Sequence, residues 1–254
     1  MTHTQMYNLY KEKYAKYYDS LHCDKDYEKE CELIYKYSKN YVNLLDIGCG
    51  TGQHSLNLYD KFERITGVDL SEEMINVAKE KVLNRKINNV EFKVINTDEI
   101  EEKFDTIISM FNVVNHIDSL SQLIDFFKNI SFLLNQNGVF IFDCWNGTSC
   151  RIEIPQEYKE KEIICGENKV SLKTNTKTDL FNSTSIMETQ VDIFGGDNKK
   201  DSFEYVNKHF LWTPDILKEL VILSGMKINK IIPYFNDEKN ANENDYRITF
   251  ICIK

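Results

Sequence analysis

The sequence predicts an α/β protein with an open, mostly parallel, seven-stranded sheet that is interrupted late in the chain by an antiparallel β insert. Three observations predict it. Between residues 41 and 154, short apolar runs alternate with helical patterns, the signature of successive βαβ units. The runs are apolar throughout, as befits strands with helices on both faces. Beyond Pro155 the period changes to apolar–polar alternation, and it returns to a helical pattern only at Thr213-Pro214.

The elements follow in order. Cys31, Leu33, Ile34 and Tyr37 form the apolar face of a helix over 26–39. Val42 to Ile47 reads as a buried strand that runs directly into Gly48-Cys49-Gly50-Thr51-Gly52, and Gln53 to Lys61 reads as the next helix. Ile65 to Asp69 is the second strand. Ser71 is an N-cap for the helix after it, although Met74 stands where a capping box would place Glu. Val90–Ile95, Phe104–Met110 and Val139–Asp143 are the third to fifth strands, the last introduced by the turn residues Asn135 to Gly138; Leu120–Leu134 is a helix. Residues 162–194 and 203–212 alternate as antiparallel strands do. A helix then runs from Pro214, tolerated in a first turn, to the stop at Ser224-Gly225, and strands at 227–234 and 247–253 complete the sheet. The expected organisation is an N-terminal helical lid over 1–40, a core of 41–154 with 213–254, and an insert of 155–212.

Composition narrows the function. The 254 residues carry a net charge of −9, and no cluster of Lys and Arg offers the basic face that nucleic acid requires. No signal-peptide or membrane-span pattern is present, so the expectation is a cytoplasmic protein with no nucleic-acid or membrane partner. The seven cysteines are odd in number and lack paired spacing, which suggests neither a disulfide framework nor a metal site. A small-molecule partner is expected, with a homodimer left open.

The chemistry concentrates at Leu45-Asp46-Ile47-Gly48-Cys49-Gly50-Thr51-Gly52. A strand that ends in glycines lets a ligand approach the backbone closely. Asp69 ends the following strand, 19 residues past Gly50, where a carboxylate can bond both hydroxyls of a ribose. The spacing is G-x-G-x-G, with Gln53 after Gly52, and not the G-x-G-x-x-G/A of dinucleotide binders. Asp46 suits a ligand ammonium better than a pyrophosphate, which favours positive potential.

With Thr97-Asp98 and the segment Gly67-Val68-Asp69-Leu70-Ser71-Glu72-Glu73-Met74, this run resembles the class I S-adenosylmethionine-dependent methyltransferases, a Rossmann-like family. The resemblance implies S-adenosyl-L-methionine as cofactor, with Gly48, Gly50 and Gly52 along it. It also implies Asp69 on the ribose with Leu70 beside it, and Asp98 with Glu99 near the adenine; Asp98 also reads as a helix cap. More narrowly, Tyr10, Tyr14 to Asp19, Lys25 to Tyr27 and Ser109 to His116 resemble the sugar-nucleotide amino N-methyltransferases of dimethylamino deoxysugars. That similarity implies Tyr18 and Met110 on the cofactor, and Tyr10, Tyr27 and His116 toward the acceptor, with Tyr10 and His116 the candidate catalytic pair. Asn115 replaces the family's usual glycine, and Phe142 to Gly147 replaces its Glu-Pro-Trp-Trp run. Asn115, Trp145 and Asn146 are therefore candidate substrate contacts, and the acceptor need not be an amino sugar.

Methyl transfer is an in-line displacement that needs alignment and a deprotonated acceptor. His116 follows the fourth strand at its carboxyl end, the edge where open α/β sheets bind ligands. It reads either as the base or as a residue that positions the acceptor. His54 reads as a helix-face residue, and His22 and His209 as structural. Tyr7, Tyr10, Tyr14, Tyr17 and Tyr18 read as a core stripe or as a lid that uses rings and hydroxyls together. The resulting expectation is transfer to N or O of a small polar acceptor, such as a nucleotide-linked sugar or other glycan precursor. The alternatives are a protein or nucleic-acid methyltransferase, or a cofactor-binding regulator.

Overall fold

The computed structural model describes residues 12–196 and 198–254. Two helices lead: α1 (Glu12–Leu21) and α2 (Tyr27–Tyr37). The core then alternates β1 (Asn43–Ile47), α3 (Gln53–Asn57), β2 (Arg64–Asp69), α4 (Glu72–Arg85), β3 (Val90–Val94), β4 (Phe104–Ser109), α5 (Leu120–Leu133) and β5 (Leu134–Trp145). After the short α6 (Ser149–Ile152) come β6 (Tyr158–Cys165), β7 (Asn168–Asp179), β8 (Thr184–Gly195) and β9 (Asn198–Phe210). The chain closes with α7 (Pro214–Leu223), β10 (Lys227–Pro233) and β11 (Arg247–Ile253).

The main sheet has seven strands in the order β10-β11-β5-β4-β1-β2-β3, and β6 to β9 make a separate antiparallel sheet. Strands β1 to β5 pair in parallel, while β11 runs antiparallel to both β5 and β10. Strand β1 pairs with β2 on one side and β4 on the other. The strand order reverses there, which opens a crevice at the carboxyl ends of the strands.

Apolar strand faces fill two layers. Phe104, Phe127, Phe140, Phe142 and Phe250 pack on one side with α5 and α7, while Leu44, Ile65, Phe92, Ile108 and Ile141 pack on the other with α2 and α3. Helix α1 is held differently. Its buried Tyr14 and Ala15 join Met74 of α4 and Ile163, Val170 and Val191 of the antiparallel sheet. It thereby ties that sheet to the core.

Local chemistry explains the departures from the sequence reading. Helix α3 stops at Asn57, four residues early, because the chain turns at Leu58, whose carbonyl accepts from Lys61 N at 2.9 Å. Residues 135–138, expected as a turn before the fifth strand, remain inside β5 as an irregularity: the β4 register jumps from Phe104↔Leu134 to Thr106↔Val139. Asn137 there has φ 64°, a left-handed backbone that Asn tolerates.

Gly147, after β5, lies against the segment that leaves β9. Its amide donates to Trp212 O at 3.1 Å. A Cβ there would stand 2.3 Å from Leu211 O and 2.7 Å from Trp212 O, and backbone cannot swing aside as a side chain can. Gly147→Ala is therefore expected to cost about 3 kcal/mol and lower the thermal midpoint by roughly 6–12 °C. Calorimetry that finds the midpoint unchanged would refute this account of the contact.

Candidate functional site

The glycine turn after β1 is built from both directions. The amides of Gly48 and Cys49 donate to Val68 O at 2.8 and 3.1 Å, and Gly52 N closes the turn on Cys49 O at 2.9 Å. Asp69, at the end of β2, accepts from Gly50 N at 2.8 Å and from Ser71 N at 2.9 Å. One carboxylate thus spans the glycine turn and the entry to α4. Burial raises its pKa, and these backbone hydrogen bonds oppose the rise.

Beside this turn lies a cavity of about 370 Å³. Gly48, Asp69, Leu70, Asp98 and His116 all line it, brought together from four strand ends. Val113, Ile117 and Phe126 also line it; they lacked a role in the sequence reading because apolar residues after a strand and on an amphipathic helix read as core. Asp98 sits in a one-turn 3-10 helix over Thr97–Glu99, closed by a capping box in which Glu99 accepts from Asn96 N at 3.0 Å. One Glu99 oxygen is taken by that cap; Asp98 lines the cavity and Glu99 is outside its lining.

The other expected cofactor residues take different places. Gly52, at φ 79°, serves packing: a Cβ would meet the Phe92 ring at 2.4 Å. Met110 is buried in the core with Cys49 and Ile108. Asp46 is buried and accepts from Ser55 Oγ at 2.7 Å, so its carboxylate is bound to α3. Tyr18 projects from α1 toward the turn, its ring edge 3.9 Å from where a Gly50 Cβ would lie. Helix α1 is fastened there as well, since Thr51 Oγ1 donates to Asp19 at 2.6 Å and Lys81 pairs with Asp19.

His116 ends a 3-10 segment after β4 (Val113–His116). Its ring bonds to the backbone of Lys208 in β9 and packs 4.7 Å from His209. Burial lowers its pKa to about 4, with the Lys208 bond opposing, so the imidazole is neutral at physiological pH. Trp145 packs on His209 at 4.4 Å and on Tyr246 at 5.2 Å.

Two candidate acceptor contacts prove to be braces. Asn115 is fully buried; its Nδ2 donates to Phe210 O at 2.8 Å and its Oδ1 accepts from Trp145 N at 2.9 Å. Asn146 is likewise buried, with its amide bonded to Asp245 O and Thr148 N. Both ends of each amide are used, which leaves them no face for a substrate. Tyr27 meets His54 edge-on at 5.1 Å, with the Lys25 ammonium 4.1 Å from its ring centre. Tyr10 and Tyr7 lie outside the described residues. Among the described residues, no group of His, Cys, Asp and Glu could hold a metal ion, and no helix is long and apolar enough to cross a membrane.

An open sheet of the α/β class with this strand order carries its ligand site in the crevice at the switch point, where this acidic cavity lies. The particular family is shown by comparison: residues 38–208 match the model of a methyltransferase domain, and the chain belongs to that family. It is similar in fold to an S-adenosylmethionine-dependent methyltransferase of Clostridium acetobutylicum, with 22% identity, a TM-score of 0.80, and 95% of this chain and 97% of that one covered. Streptomyces venezuelae DesVI superposes with a TM-score of 0.77 at 17% identity, covering 94% and 98%. In sequence it is 25% identical to the dTDP-3-amino-3,6-dideoxy-alpha-D-glucopyranose N,N-dimethyltransferase of Streptomyces fradiae over 52% of each chain.

Proposed function

We propose that the protein transfers a methyl group from S-adenosylmethionine to an N or O atom of a small polar acceptor, a nucleotide-linked sugar or related glycan precursor. The observation that carries the reading is the convergence of Gly48, Asp69, Asp98 and His116 on one cavity. The residues suit the cofactor: a Gly50 Cβ would occupy the space beneath Tyr18, and Asp69 keeps lone pairs for hydroxyls beyond its two backbone bonds. The dTDP-amino-deoxysugar N,N-dimethyltransferases among the similar proteins support the acceptor class.

S-adenosylmethionine supplies, when bound, a methyl group already activated on a sulfonium. The chain's residues then need to hold and align the acceptor and exclude water. An imidazole with its pKa near 4 retains a proton poorly, so His116 works best as a hydrogen-bond acceptor that orients the nucleophile's N–H or O–H. Loss of that orientation in His116→Gln is expected to lower turnover by about 10²-fold or more, with cofactor affinity within about twofold. Mass spectrometry for a one-methylene gain on candidate acceptors reads the first effect, and calorimetric titration with S-adenosylhomocysteine reads the second. Titration of the wild-type chain with S-adenosylhomocysteine and NAD tests the reading itself, and it fails if the former does not bind.

A further inference from the structure

A second cavity, of about 410 Å³, is lined by His22, Lys25, Glu30, Phe111, Tyr234 and Arg247 among others. A run of rings joins it to the glycine turn: Tyr18 meets His22 edge-on at 4.7 Å, and His22 meets Phe111 at 4.8 Å.

Two walls of this cavity are held in a costly conformation. Phe111 has φ 68° and Phe235 has φ 49°, a left-handed backbone that bulky side chains rarely adopt. The Asp143 carboxylate accepts from the amides of both Phe111 and Asn112, which fixes the first of these bends. The same fully buried carboxylate accepts from Arg247 at 2.6 Å. Packing alone gives no reason to place two left-handed phenylalanines in one cavity; shaping a ligand site does.

The polar groups of the cavity specify its ligand. The Arg247 guanidinium lies 3.6 Å from the Tyr234 ring centre, and its buried Nε has no hydrogen-bond partner among the described residues. Lys25 pairs with the buried Glu30, which also binds His54 at 2.7 Å and the Tyr234 hydroxyl. That leaves the Lys25 ammonium with donors to spare, 5.1 Å from the Phe111 ring. At the rim stand the exposed Lys29 and Lys161, the latter paired with Asp24 at 2.6 Å. The exposed Asp24 and Asp26 also line the cavity, Asp24 paired with Lys161 and Asp26 accepting from Lys29 N; at its base Glu30 and Asp143 have their acceptor capacity engaged, so the unspent capacity there is N–H donors.

We propose that this cavity is the acceptor's subsite and that it receives an oxyanion, phosphate or carboxylate, between Arg247 and Lys25. The assignment rests on the methyltransferase reading and names the acceptor as an anionic molecule. An oxyanion here has two sources, the acceptor or the amino-acid carboxylate of the cofactor, and the test separates them.

Calorimetric titration of the full chain with inorganic pyrophosphate, at fixed ionic strength and with saturating S-adenosylhomocysteine, is expected to show binding. Arg247→Gln is expected to weaken it at least about tenfold while S-adenosylhomocysteine affinity stays within about twofold. No pyrophosphate binding, unchanged pyrophosphate affinity in the variant, or competition between pyrophosphate and S-adenosylhomocysteine each overturns the assignment; the last hands the site to the cofactor's carboxylate. Failure of the wild-type chain to bind S-adenosylhomocysteine is a different result and sinks the methyltransferase reading instead. Should Arg247→Gln fail to fold, the rim double variant Lys29→Gln/Lys161→Gln serves in its place. It is expected to bind pyrophosphate about threefold more weakly with a shallower salt dependence, and wild-type affinity and salt dependence there would also overturn the assignment.

Discussion

Asp69→Ala is expected to weaken S-adenosylhomocysteine binding by about 100- to 1,000-fold. The side chain has two tasks in the proposed site. Its oxygens already hold Gly50 N and Ser71 N, so the glycine turn keeps its shape before any ligand arrives. The residue also lines the cavity, where the proposed assignment places ribose hydroxyls on its remaining lone pairs. Hydrogen bonds to a charged group contribute about 1.5–3 kcal/mol each, and losing two at the lower end of that range, about 3–4 kcal/mol in all, gives the stated loss. Asp69→Asn preserves shape but replaces one acceptor oxygen with a donor, so an intermediate loss of about tenfold is expected. Isothermal titration checks both variants, and wild-type affinity in the alanine variant would remove Asp69 from cofactor recognition.

The parts of the fold that repeat a local rule were legible in the sequence. Continuous apolar runs before Gly48, Asp69 and Ser109, separated by helical patterns, located β1, β2 and β4 to within a residue or two. What the sequence hid depends on partners far along the chain. The turn chemistry of Asn135 to Gly138 was read correctly as local chemistry, yet β4 and β11 hold the segment within one long strand. Alternation over 162–194 and 203–212 announced antiparallel strands, but their division at Gly166, and at 180–183, is set by pairing between β6, β7 and β8.

The site divides along the same line. Gly48, Asp69, Leu70, Asp98 and His116 each follow a strand, and strand ends in a parallel sheet converge by topology. Asn115 and Asn146 also follow strands, and a polar residue there reads equally as a ligand contact or a backbone brace. Only Phe210 and Asp245, nearly a hundred residues away, decide for the brace. Arg247 carried no signal, and Lys25 entered only within the resembling segment Lys25 to Tyr27, with no role attached to it. A cation in a polar loop and another at a strand's start look ordinary until folding places both on the Phe111 ring.

Acid is expected to unfold this protein more steeply than its carboxylates alone would dictate. Three histidines are held neutral in the folded state. Burial lowers the pKa of His22 to about 4, aided by the charges of Lys161 and Lys25 against the opposing Asp24 and Asp19. Burial lowers His116 to about 4 as well, and it holds His209 well below its ordinary value, with His116 and Arg247 adding to the effect. The unfolded chain protonates each of them near 6.5. Between that value and about pH 4 the unfolded state therefore binds up to three protons that the folded state refuses. Stability falls as pH drops through this window, by about 1.4 kcal/mol per pH unit for each histidine and about 4 kcal/mol for the three. Glu30 adds a later loss: its pKa is lowered to about 2, the bonds and charges of His54 and Lys25 outweighing the burial that raises it. The stability it contributes is present above about pH 4.5 and disappears as pH falls toward 2. Urea denaturation at pH 7.5, 6.5, 5.5 and 5.0 should show a midpoint that is nearly level above about 6.5 and falls steeply below it. His209→Phe should flatten the slope by roughly a third, because its ring stacks on His116 and Trp145 without requiring a charge. A midpoint that stays level down to pH 5 would mean that these imidazoles protonate in the folded protein.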